Sequence, residues 1–250
     1  MTDITKKSLV FISMLGEKQH FDPDQFSDLC SSGLEKDWVV DWFGPIAQEM
    51  NFVLSGVDIC RGDVLPTVES VDCVILGGTM HVVTEDRSWL LKLYAWLRQY
   101  RKTEKPLLGI CGGHQMVSTQ FEDGKLTGRA AGTLAGTYEI ELTELGCKHP
   151  LFDGLSINPR FNFANYLHVV PSKAQKGRVL ARIGESSAIC IDHGAHWYTT
   201  QFHPESRQSV WSRMYEHSKP EYIENYSSDQ DGVAFIKNFI KIAALRSVSG

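Results

Sequence analysis

The 250-residue chain has no C-x-x-C pair, no Lys/Arg-rich stripe, no internal repeat and no apolar run near the ~18 residues of a membrane span. Each absence removes a class of function. The six cysteines, at 30, 60, 73, 111, 147 and 190, have neither zinc-ribbon nor disulfide-framework spacing. Most sit in apolar runs such as Asp72-Cys73-Val74-Ile75, where a thiol behaves as a small hydrophobe. Free thiols fit a reducing compartment, so a cytoplasmic protein is expected. A net charge of −5 without a basic stripe argues against a nucleic-acid partner and against docking on anionic membrane. Neither G-x-x-x-x-G-K-[ST] nor a strand-linked G-x-G-x-x-G occurs, and no cofactor is expected. Lys6-Lys7 followed by Leu9–Ile12 is too short for a signal peptide, lacks an A-x-A-like cleavage site, and reads as a first strand.

What is present is ordinary globular composition, 42% hydrophobic and 22% charged, in a length that suits one domain over residues 1–250. Short apolar runs alternate with helical patterns, which predicts an α/β fold with a mostly parallel central sheet flanked by helices. Strands are expected at 9–14, 52–60, 73–76 and 106–110. Helices are expected over 38–50 (Trp38, Val39, Trp42, Phe43, Ile46, Ala47, Met50), over 89–97, and after Cys111. Beyond Gly128 strand-like stretches follow at 137–142, 179–183, 188–192 and 197–202, with a closing helix over 232–245. Two segments read as additions to a minimal core: 16–36, and 207–228 with Trp211, Tyr215, Tyr222 and Tyr226. Either would cover a site, meet a partner, or pack locally on the surface.

The strongest chemical signal is Gly109-Ile110-Cys111-Gly112-Gly113-His114-Gln115. An apolar strand runs into a cysteine with glycines at −2 and +2, and a helix follows. This is the pattern of a nucleophile elbow with Cys in place of Ser. The glycines relieve crowding at a sharp, strained turn. The turn presents the sulfur above the carboxyl ends of the strands, at a helix N-terminus where the positive dipole end favours a thiolate. Taken alone, a structural Gly-rich turn explains the same residues.

The second signal is Gln201-Phe202-His203-Pro204-Glu205. In an extended segment His203 and Glu205 point to the same side. A base oriented by a carboxylate beside a thiol is triad logic. Alone, His-Pro-Glu is also compatible with a surface turn. The third is Gly77-Gly78-Thr79 after the strand at 73–76, whose N–H groups, with that of Gly112, would hold an oxyanion; an ordinary strand-end turn is the alternative. His193 and His196 match no strong zinc spacing, and no metal site is expected. His114 reads as a packed or hydrogen-bonded histidine.

With these residues in view, the sequence resembles the class I, or triad, glutamine amidotransferases. Gly109–Gln115 is similar to that family's G-x-C-x-G-x-Q, and Gln201–Glu205 to its Q-F-H-P-E. The resemblance implies a seven-stranded or similar flavodoxin-like core with the site at its carboxyl edge. It implies that Cys111 attacks a glutamine side-chain amide to form a γ-glutamyl thioester, that His203 moves protons, and that Glu205 orients it. It places Gly78 and Gly112 at the oxyanion and Gln115 against the substrate. One departure stands out. Many relatives carry a Ser-His pair followed by an aromatic where this chain has Ala164-Asn165-Tyr166, so Asn165 replaces the His and, with Tyr166, faces the amino-acid end of the substrate.

Three functions follow. The first is a glutaminase supplying ammonia to a separate synthetase, since few residues follow the His/Glu pair and no fused ATP-using domain is expected. The second is a free-standing γ-glutamyl hydrolase or peptidase, and the third a non-catalytic binding or regulatory module on the same fold. No papain or caspase signature points to general proteolysis.

Overall fold

The structure, a computed structural model, describes residues 6–246; the outermost residues of the expected 1–250 domain lie outside it. The first half alternates strand and helix: β1 (Lys7–Ser13), α1 (Glu35–Glu49), β2 (Phe52–Asp58), β3 (Cys73–Leu76), α2 (Ser88–Lys102), β4 (Leu107–Ile110) and α3 (Gly112–Gln120). The second half is richer in strands: β5 (Lys125–Gly128), β6 (Leu134–Glu139), β7 (Glu141–Leu142), β8 (Arg160–Asn165), β9 (Leu167–Val170), a short α4 (Lys173–Lys176), β10 (Val179–Ile183), β11 (Ser186–Asp192) and β12 (Trp197–Thr200). Helices α5 (Gln208–Tyr215) and α6 (Gly232–Arg246) complete it.

Eight strands form one sheet in the order β2-β1-β3-β4-β12-β11-β10-β7. The first five are mutually parallel, and β11, β10 and β7 are antiparallel additions at one side. The sheet is α/β as expected, with one strand more than the seven that the resemblance implied. β3 and β4 are buried along their whole length, as continuous apolar runs must be when helices cover both faces. Period-two alternation in β1 divides the core. Leu9 and Phe11 face the layer that includes Trp38 of α1 and Phe235 and Phe239 of α6, while Val10 and Ile12 face Leu90, Leu93 and Leu97 of α2.

The strands expected at 9–14, 106–110 and 188–192 shift by one or two residues at an end, and three others differ more. The stretch 137–142 is two strands, because Ile140 turns inward and β6 pairs with β8 in a separate ribbon while β7 joins the main sheet. The stretch 52–60 ends at Asp58, whose side chain accepts the Arg61 N–H and starts a 3-10 turn. The stretch 197–202 ends at Thr200, so His203 and Glu205 do not lie on a regular strand. His203 instead leaves the sheet and bridges to Asn162 of β8.

The segments 16–36 and 207–228 both pack over the carboxyl edge. Phe21 and Phe26 stack near Trp38, with centroids 6.3 and 5.4 Å from it. Trp211 lies parallel to Tyr226 at 5.2 Å. Arg213 of α5 pairs with Asp28 at 2.8 Å, which ties the two segments together. Among the described residues, no helix is long and apolar enough to cross a membrane.

Candidate active site

Strands β3, β4 and β12 are neighbours, so the loops leaving their carboxyl ends meet in one crevice, the usual ligand position in open α/β sheets. Cys111 follows β4 directly. Its φ of 48° and ψ of −97° lie outside the favoured regions for a residue with a Cβ. Surrounding hydrogen bonds hold it there: its N–H donates to Thr200 O (2.7 Å), and its carbonyl accepts from Gln115 N (3.0 Å). The flanking glycines are required by contact. A Cβ on Gly109 would lie 2.9 Å from the Gly113 backbone, and one on Gly113 would lie 2.7 Å from Leu76 O.

His203 is 7% exposed and its Nδ1–H donates to Glu205 Oε1 at 2.7 Å. Burial pulls the imidazole's pKa down. The charges of Glu205 and Cys111, and hydrogen bonds to both, outweigh it and hold His203 well above the usual histidine range. The Gly77–Thr79 loop after β3 passes close over this pair, since a Cβ on Gly78 would sit 2.9 Å from His203 Cε1 and 3.5 Å from Cys111 Cβ. Gly112 opens α3, whose first N–H groups have no intrahelical acceptors. A thiol, a carboxylate-held imidazole and backbone donors are thus together, the set that attacks a carbonyl and holds the resulting oxyanion.

Gln115 lies on the first turn of α3, and its Nε2 donates to Gln201 Oε1 (3.2 Å). Gln201 Nε2 in turn donates to Cys111 Sγ (3.4 Å). Gln201 was legible in the sequence only as part of its motif, without a role. Asn165 is buried at the end of β8; Nδ2 donates to Leu167 O (2.8 Å), while Oδ1 is buried without a hydrogen-bond partner. Tyr166 is exposed at the following turn. Cys111, His203, Glu205, Gln115, Asn165 and Tyr166 all line one cavity of about 310 Å³.

The same cavity has a second wall, partly from the 207–228 segment expected to cover a site, meet a partner or pack locally, and partly from Trp38, which the sequence reads as core. Trp38 comes from α1; Trp211, Met214 and Tyr215 come from α5. The Trp211 ring meets His203 edge-on at 4.9 Å, and its Nε1–H donates to Ser206 Oγ (2.9 Å). Glu35, the first residue of α1, also faces this cavity while 6% exposed. Ser13 Oγ donates to its Oε2 at 2.6 Å. Burial first, then the nearby Glu205 charge, pushes the Glu35 carboxyl up to about 8.

The histidines set apart in the sequence are elsewhere. His114 is fully buried and braces the elbow helix: its Nε2–H donates to Ala188 O (3.1 Å) and its Nδ1 accepts from Thr199 Oγ1 (2.7 Å). Burial holds it down to about 3, so it is neutral. His193 contacts Thr199 Oγ1 (2.8 Å) and Glu122 (3.1 Å) behind the same helix, and His196 lies in the loop before β12. Among the described residues Glu17, His20 and His81 place ligand atoms within 4.8 Å of one another. There Glu17 already accepts from Trp89 Nε1 (2.8 Å) and pairs with Arg87 (3.0 Å), which leaves little for a metal.

Comparisons with known proteins bear on the family and the fold. The chain is 27% identical over 150 residues to imidazole glycerol phosphate synthase subunit HisH of Methanosarcina acetivorans, covering 54% of this chain and 73% of that protein. The HisH subunit of Methanosarcina barkeri is also 27% identical, over 130 residues, but that match spans only 62% of its length and 46% of this chain. A glutamine amidotransferase of Thermotoga maritima shares the fold at 17% identity, with a TM-score of 0.70 over 95% of this chain and 98% of that one. The family model described as glutamine amidotransferase class-I matches residues 63–218, well over half the sequence, and the chain belongs to that family.

Proposed function

We propose that this chain hydrolyses the side-chain amide of glutamine through a γ-glutamyl thioester on Cys111 and supplies the ammonia to a separate synthetase. The observation that carries the reading is the strained Cys111 lining one cavity with the buried His203–Glu205 pair. Cys111 Sγ attacks the γ-carbonyl carbon, and the oxyanion is held by the N–H groups of Gly78 and Gly112. As the C–N bond breaks, His203 protonates the departing ammonia; it then takes a proton from water, which attacks the thioester and releases glutamate and the free thiol. Glu205 fixes the imidazole. Gln115, Asn165 and Tyr166 hold the substrate, with the unpaired Asn165 Oδ1 an acceptor for its α-ammonium group. In this reading the chain is one amidotransferase domain, and 16–36 and 207–228 are additions that shape its cavity. A synthetase partner is supported by the relatives named as synthase subunits.

One observation favours a second reading. The wall of Trp38, Trp211, Met214 and Tyr215 extends the cavity with apolar surface that the carboxamide of glutamine does not use. A free-standing γ-glutamyl amide hydrolase would use it for a larger leaving group. Glutamate release from glutamine and from γ-glutamyl peptides, with Cys111→Ala as control, tests both. Slow, Cys111-dependent release confined to glutamine supports the first. Rapid release from a peptide without any partner favours the second. No Cys111-dependent release and no labelling of Cys111 by a glutamine-like electrophile overturn both in favour of a non-catalytic module.

A further inference from the structure

We infer that the wall between α1 and α5 is a binding site for a cationic group, so that the leaving amine of the preferred γ-glutamyl amide carries a second, positively charged amino group on an apolar tail. The inference rests on the second reading of the Cys111 site and names its substrate class.

Four observations meet at this wall. Glu35 is buried with a serine hydroxyl as its hydrogen-bond partner, and no Lys or Arg pairs with it among the described residues. Its carboxyl shares the cavity with Glu205. Glu205 turns Oε1 to His203 and leaves Oε2 buried without a hydrogen-bond partner. The remaining wall is aromatic and apolar, with Trp38 one turn along α1 from Glu35 and Trp211 and Tyr215 opposite on α5.

Two carboxyl groups share this cavity; Glu205 is engaged with the His203 imidazole, whereas Glu35 has no Lys or Arg beside it among the described residues. An unpaired buried carboxylate is costly, and burial pushes the Glu35 carboxyl up to about 8. A bound ammonium would compensate Glu35 directly. The apolar wall of Trp38, Trp211, Met214 and Tyr215 accommodates the methylene chain. Neutral amines of the same length gain only the apolar contacts.

The chemistry is that of the site already described. Cys111 Sγ bonds to the γ-carbonyl carbon, the C–N bond breaks, the leaving amine takes a proton through His203, and water hydrolyses the thioester. The net change is γ-glutamyl amide plus water to glutamate plus free amine, with no other reactant.

The test compares γ-glutamyl-1,6-diaminohexane with its uncharged isostere, γ-glutamyl-hexylamide, on the full chain, reading kcat/KM from glutamate release. Wild type should prefer the cationic amide at least about tenfold, as a charge-assisted contact to Glu35 implies. E35Q should bring that ratio close to one, and E35D, which keeps the charge, should retain part of it. Effects of E35Q common to both substrates, including any on the triad, cancel in the ratio. A wild-type ratio at or below one, or a ratio that survives E35Q, overturns the inference. Binding of both amides to Cys111→Ala is measured calorimetrically in parallel. Charge-selective binding lost with Glu35→Gln, without turnover by wild type, would refute the hydrolase reading while leaving the cation site standing; unselective binding refutes the site.

Discussion

The carboxyl ends of β3, β4 and β12 and the wall formed by α1 and α5 border the same cavity but are built by different means. The first is backbone against backbone. Gly109 meets Gly113, Gly113 meets Leu76 O, and Cys111 N–H donates to Thr200 O. The second is side chain against side chain: Trp211 on Tyr226, Phe26 on Trp38, Arg213 on Asp28. Backbone contacts of this kind tolerate almost no substitution, whereas side-chain contacts can be exchanged piece by piece; on the proposed reading the first region holds the reaction and the second sets the substrate preference.

The largest effect should come from the first region. Cys111→Ala should lower glutamate release by about 10⁴-fold or more, since members of such a unit fail nearly together; steady-state kinetics with intact-mass controls would show it. Glu205→Gln, isosteric but without charge, should cost about 10²–10⁴-fold. It should also bring the His203 pKa down by NMR titration, because Glu205 is the leading cause that raises it. If His203 kept its raised value in that variant, the triad geometry would not be the reason for it. Gly113→Ala should destabilise by about 1–3 kcal/mol, as overpacking against a carbonyl does, and lower Tm by roughly 2–10 °C. A Tm equal to wild type would blur the contrast between the two regions.

Smaller effects are expected at the wall. The folded pKa of Glu35, about 8, lies above its ordinary 4.5. A raised acid binds its proton more tightly when folded. Its contribution to stability is therefore full below about pH 4.5 and falls as pH rises towards 8, by an order of a few kcal/mol. The groups acting on it are Glu205, His203, Asp58 and Ser13. Thermal melts from pH 5 to 8 should show a weaker decline for Glu35→Gln than for wild type, and identical slopes would contradict the assignment. Arg213→Ala, at a solvent-exposed ion pair, should leave Tm at 0.15 M salt unchanged.

Legibility in the sequence followed the same division. The elbow, the His/Glu pair and the Gly77-Gly78 turn were readable because each depends on residue types at fixed short spacing. The strands expected at 73–76 and 106–110 were readable, the second to within one residue, because burial on both faces demands an unbroken apolar run. The split at Ile140 was not, since an alternating pattern reads alike whether one strand continues or two sheets exchange it. Nor was the departure of His203 from β12, which depends on its pairing with Asn162 some forty residues earlier. Glu35 was the least visible. It falls in the 16–36 stretch read only as an addition to the core, ahead of the helix expected from 38, and only the folded chain shows it opening α1 and turned inward to the cavity that Glu205 also lines.

The sequence by itself determined the α/β sheet and the cysteine elbow, because local spacing and backbone sterics dictate them. Tertiary structure alone decided which distant side chains close over that elbow. Burial of Glu35 and the aromatic wall arise from contacts between segments nearly two hundred residues apart, and no local pattern encodes a desolvation that only the packed neighbours create.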